Sequence, residues 1–229
     1  MKRMIATLLL AAAPGLLLAD AFSIVPVRVE LGKSKTASLT ITNDTVARTF
    51  EVRAVSWSQD NGIDTYKPTD ELLVVPSTFH LEQNAAQVIR VSLNRTPDAK
   101  EHSYRVFINE VVPAPQLAAG SVVTTALSVG VPAFVLPESG RAPEGKLELT
   151  PQRTATGIRI EAHNAGVANL KAEELTVAQG DTPLLKVTPG DYLLAGTSRT
   201  WDFQLRNASA GPLDVSVRTD RGTFKANAR

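Results

Sequence analysis

The sequence predicts an all-β protein made of two immunoglobulin-like β-sandwich domains. Three observations lead there. Nearly every segment after residue 21 carries apolar residues at alternate positions, the period of a half-buried strand, and none has a sustained helical period. Turn signals separate these segments at the spacing expected of a sandwich. The pattern is interrupted once, by the Pro-, Gly- and charge-rich "LPESGRAPEG", after which strands resume.

The chain opens with "MKRMIATLLLAAAPGLLLADA": Lys2 and Arg3, an apolar core, then Ala19-Asp20-Ala21, a small-x-small cleavage pattern. Residues 1–21 therefore read as a signal peptide cut after Ala21, which sends the rest out of the cytoplasm, most simply to a bacterial periplasm. The alternative, a retained anchor, is disfavoured because the apolar core is short for a membrane span. The whole chain has 24 basic and 23 acidic residues, and removing Lys2, Arg3 and Asp20 leaves the mature charges balanced. Neutrality with few aromatics argues against a nucleic-acid surface. There is no cysteine, so an exported chain must hold together by ordinary cores. Roughly two hundred mature residues suffice for two such cores.

The first domain, residues 22–138, begins with "FSIVPVRVELG", in which Val25, Val27, Val29 and Leu31 fall on one face. "TASLTITN" turns Ala37, Leu39 and Ile41 inward. "TFEVRAVSWSQ" leads into Asn61-Gly62, a type I′ hairpin signal. "LLVVP", "TFHL", "AQVIRVSLN" and "SYRVFINEVV" follow. Residues 139–144 form the linker, and strand patterns fill a second domain at 145–229.

Catalytic chemistry is not apparent. His80, His102 and His163 are scattered without metal-ligand spacing, and neither a nucleophile elbow nor a phosphate-cradling loop occurs. No enzyme activity, cofactor or metal is expected.

The most distinctive stretch is the run from Val111 to Pro137, which has no charged residue and no histidine. Pro113, Pro115, Pro132 and Pro137 exclude a spanning helix, so no membrane insertion is expected. Val123, Thr125, Leu127, Val129 and Val131 share one face at period two, making a long strand with an apolar stripe. Either that stripe is the domain's own core, or it is kept for a partner. Arg28, Arg90 and Arg105 meanwhile stand at the outward parity of otherwise apolar strands.

"PVRVELG", "AQVIRVSLN", "YRVFINEVVP" and "ALSVGVPAFVLP", with "NAGVANLKAEEL" and "YLLAGTSRTWDF" in the second half, make the mature chain resemble the periplasmic pilus chaperones, the PapD-like family of the chaperone–usher pathway. "DELLVVPSTFHL" and "YRVFINEVVP" are similar to its archaic branch. The resemblance implies a boomerang of two domains that binds pilin subunits and delivers them to an outer-membrane usher. It makes Val123, Thr125, Leu127, Val129 and Val131 the face lent to an incomplete subunit, by strand addition. It assigns Arg28 to the subunit's C-terminal carboxylate. The family's second anchor, a lysine, would fall at Pro132, and Arg105 is the expected replacement. Arg90, Glu110 and Asp220 resemble the family's interdomain salt-bridge cluster. An exposed apolar edge would also favour self-association of the client-free protein. The competing readings are a structural pilus subunit or adhesin, and an exported immunoglobulin-like binding module.

Overall fold

The computed structural model describes residues 22–112, 126–140, 143–206 and 209–228. The expected signal peptide and two residues of the expected donor face, Val123 and Thr125, lie outside the described residues. Among the described residues every regular element is a strand.

The first sandwich contains β1 (Phe22–Val25), β2 (Val29–Leu31), β3 (Thr36–Asn43), β4 (Arg48–Asp60) and β5 (Ile63–Pro68). It continues with β6 (Leu72–Val75), β7 (Thr78–Leu81), β8 (Ala85–Leu93), β9 (His102–Glu110) and β10 (Ser128–Val135). One sheet runs β1-β3-β8-β6, and the facing sheet runs β2-β10-β9-β4-β5, with β7 also on β4. Their inner faces interdigitate through residues such as Leu39, Ile41, Phe50, Ile89, Val106 and Ile108, all essentially inaccessible.

The second sandwich contains β11 (Leu147–Arg153), β12 (Gly157–Asn164), β13 (Leu170–Gln179) and β14 (Thr182–Val187). Its remaining strands are β15 (Tyr192–Leu193), β16 (Ser198–Gln204), β17 (Leu213–Thr219) and β18 (Gly222–Ala228). Sheets β11-β12-β16 and β14-β13-β17-β18 enclose its own core around Ile160, Leu175 and Val217.

Local sequence chemistry explains the joints. The β4–β5 hairpin closes in two residues, Asn61 at φ 49° and Gly62 at φ 78°, the left-handed pair that a type I′ turn requires. Each sandwich also buries one asparagine at the end of a strand. Asn43 donates to the carbonyls of Val46, Leu81 and Glu82, and Asn164 to those of Ala168, Leu193 and Leu194. A fully buried amide is tolerated because its hydrogen bonds are met.

One expectation is corrected. "FSIVPVRVELG" is not a single strand with one apolar face: β1 joins β3 in the first sheet, whereas β2 joins β10, in parallel, in the second. Pro26, which has no N–H to give a ladder, sits where the chain crosses between sheets. Val25 and Val27 are consequently exposed, while Val29 and Leu31 are buried.

Candidate functional site

The uncharged strand is unevenly paired. β9 pairs with β10 along its whole length, from Ser128↔Asn109 to Val135↔His102. The opposite edge is covered by β2 only at Ala133, Phe134 and Val135. Among the described residues no strand pairs with that edge from Ser128 to Pro132, which leaves an open strip of backbone.

Side chains change along the same line. Val131, Ala133 and Val135 are buried in the first core, at 2%, 0% and 1% exposure. Leu127 and Val129 are only half-buried, packed against the margin of that core. Glu110 supports this margin: its N–H donates to the Leu127 carbonyl at 2.8 Å, and its carboxylate accepts from the Leu127 N–H at 3.1 Å. Val131 therefore departs from the expectation that placed it on a donated face. It already fills its own sandwich.

The opposite face of the same sheet meets the second sandwich. With Val106, Ala133 and their neighbours turned inward, Arg105, Phe134 and Trp57 point outward by strand parity. Trp57, Phe134 and Tyr192 form an aromatic trio across the seam, at centroid distances of 5.5–6.0 Å, with Leu194 buried beside them. Gln59 continues the seam. Its amide nitrogen donates to the Tyr192 carbonyl, and its amide oxygen accepts from the Leu194 N–H and the Thr197 hydroxyl. Arg199 donates to the Gly62 carbonyl at the hairpin tip.

Cations sit over these rings. The Arg28 guanidinium lies 4.7 Å from the Phe134 centroid, that of Arg105 4.0 Å from Trp57, and the Lys171 ammonium 5.7 Å from Tyr192. Gly130 makes room for Arg105: a Cβ there would stand 2.7 Å from the arginine Cδ and 3.0 Å from the Phe107 ring. Arg105 also donates to the Gly130 carbonyl at 3.3 Å and lies 3.8 Å from Asp64. Arg28 is more heavily engaged, holding Glu30 at 2.6 Å and Asp220 at 2.7 Å. Burial acts to lower its pKa, but the bonds to Asp220 and Glu30 outweigh that and raise it.

The expected cluster of Arg90, Glu110 and Asp220 does not form. Arg90 is exposed on β8, between Ser38 and Val75, on the outer face of the sheet that does not meet the second sandwich. Glu110 pairs with Arg48 at 3.1 Å. Asp220 does lie at the seam, where Arg28 is its partner and the Lys171 N–H its second donor. A different carboxylate crosses beside it. Glu101, its side chain almost fully buried, accepts from the backbone and side-chain nitrogens of Asn169 at 2.7 Å each, and faces Arg221 at 3.4 Å. Burial pushes the Glu101 pKa up, against the lowering effect of these donors. Sequence reading missed Glu101, Gln59, Trp57 and Phe134 as seam residues. The available signal was the two aromatic residues at outward strand parity.

The family model for pili and flagellar-assembly chaperones, PapD N-terminal domain, matches residues 21–141, more than half of the chain. The chain belongs to this chaperone family. No individually curated protein matches by sequence. Among solved structures, the chain is similar to one from the CsuC–CsuE chaperone–tip adhesion subunit complex of the archaic Csu pili of Acinetobacter baumannii. That match has TM-score 0.65 and 17% identity, and covers 91% of this chain and 98% of the other. The E. coli chaperone DraB gives TM-score 0.60 at 18% identity over 92% and 97% of the two chains. The Salmonella enterica SafA pilin–SafB chaperone complex gives 0.58 at 18% over 91% and 96%. At these identities the likeness is one of fold, and it extends over both sandwiches of this chaperone.

Proposed function

We propose that this chaperone holds pilin-type subunits by lending them the open upstream half of β10, and passes them to an outer-membrane usher. The observation that carries the reading is the edge from Ser128 to Pro132, unpaired among the described residues and continuous with an uncharged sequence. An incomplete sandwich can add itself there through main-chain hydrogen bonds, with Leu127 and Val129 entering its core beside Val123 and Thr125 upstream. Each fully buried Val or Leu contributes roughly 1.5–3 kcal/mol, so a few alternate positions suffice to stabilise a client. Absence of charge along the run fits that use, because an ion carried into the client's core would be costly. The complexes of related folds, CsuC with CsuE and SafB with SafA, support the same arrangement.

In this reading residues 1–21 are removed on export and the chain works in the periplasm without catalysis, cofactor or metal. Arg28 and Arg105 lie at the seam to receive the client's C-terminal carboxylate. Arginine's planar fork suits a carboxylate, and a charge-assisted bond is worth about 1.5–3 kcal/mol. The test is co-expression with the products of the genes flanking its own, followed by native mass spectrometry of the periplasmic extract. A one-to-one complex with a small exported protein is expected, and Leu127→Asp should abolish it. Neighbouring products that are stable and unbound in the chaperone's absence would refute the reading.

A further inference from the structure

We infer that Lys171, contributed by the second sandwich, is a specificity-determining cation of the carboxylate anchor; this rests on the function proposed above. A cleft of about 390 Å³ opens at the seam, lined by Arg28, Pro132, Lys171, Glu173, Tyr192 and Asp220 among others. Its charges are not equally available. Arg28 faces two carboxylates, Glu30 and Asp220, at 2.6 and 2.7 Å. Glu173 is engaged by Arg218 at 2.5 Å. Lys171 makes no ion pair among the described residues, and its ammonium lies over the Tyr192 ring at 5.7 Å. An incoming anion therefore meets an already compensated Arg28 and an uncompensated Lys171.

Position favours the same residue. The Lys171 N–H donates to Asp220 at 2.8 Å, and the other oxygen of Asp220 accepts from Arg28 at 2.7 Å. Asp220 thus ties the start of β13 to Arg28, and the two cations flank the Phe134–Tyr192 ring pair, whose centroids are 5.6 Å apart. Pro132 lines the same cleft and has neither a cationic side chain nor an N–H to offer. A cation across the cleft supplies what that strand position lacks. A carboxylate bound between Arg28 and Lys171 contacts both sandwiches at once, so client capture also ties the domains together.

The experiment uses the mature chain and a short peptide of alternating valine and threonine, made with a free C-terminal carboxylate or a C-terminal amide. Wild type should bind the acid at least about tenfold more tightly than the amide, the size of one charge-assisted bond. Lys171→Met, which keeps the stem, should erase most of that preference with the amide affinity unchanged within about twofold and the melting temperature unmoved. Lys171→Arg should restore it, and Arg28→Ala should also lose it. A full preference in Lys171→Met, with loss in Arg28→Ala, would overturn the assignment while leaving the anchor at the seam intact. No preference in wild type, or no binding of either peptide, would overturn the anchor itself and Lys171 with it.

Discussion

The two halves of β10 have one sequence pattern and two environments. From Val131 to Val135 the inward residues are buried in the first core, and β2 covers the outer edge of the last three positions. Around Leu127 and Val129 the same parity brings the side chains only to the core's margin, and the edge is open among the described residues. The difference teaches that alternation specifies a face, not its occupant. One strand can be half scaffold and half ligand, provided its charge-free pattern runs through both.

The largest expected effect breaks the scaffold half. Val131→Asp puts a carboxylate among side chains with no water access, at a cost of about 4 kcal/mol or more. The first sandwich should fail to fold, visible as lost near-ultraviolet dichroism or insoluble expression. A folded variant with normal stability would place Val131 outside the core. Leu127→Asp, in the open half, should cost only about 1–2 kcal/mol because its side chain keeps access to water. It should leave a cooperative melt while removing client binding. If it unfolds the protein as Val131→Asp does, the two halves are not different after all.

A smaller effect sharpens a second contrast, between the engaged seam and the open edge. The folded-state pKa of Glu101 is raised, so its contribution is fully present below the ordinary glutamate value and is lost as pH rises through the raised one. Melting temperatures of wild type and Glu101→Gln, compared from neutral pH down toward the ordinary glutamate range, should therefore shift in favour of wild type on acidification. Parallel curves would show that Glu101 ionises as freely in the fold as in the unfolded chain.

Much of the fold was legible because strand alternation and the Asn61-Gly62 turn are local signals. The sheet switch at Pro26 was not, since alternation passes through the proline without changing phase. The site was legible in part. Parity revealed Arg105 and Arg28 as outward, and the missing charge marked the strand, but the seam joins residues far apart in the chain. Gln59 meets Thr197, Glu101 meets Asn169, and Asp220 meets Arg28 rather than Arg90. Nothing in a one-dimensional pattern ranks those pairings. Nor could it tell that Val131 belongs to the chain's own core, because the periodicity from Leu127 to Val135 is unbroken.

The most direct measurement is amide hydrogen exchange along β10, in the free chaperone and in the complex recovered by co-expression. The account predicts that the amides of Ser128 and Gly130, which face the open edge, exchange quickly when free and become strongly protected on client binding, whereas those of Val129 and Val131, directed at β9, and those of Ala133 to Val135 are protected in both states. Unchanged exchange at Ser128 and Gly130 in a client complex would contradict it, and would place the contact with the client on another surface.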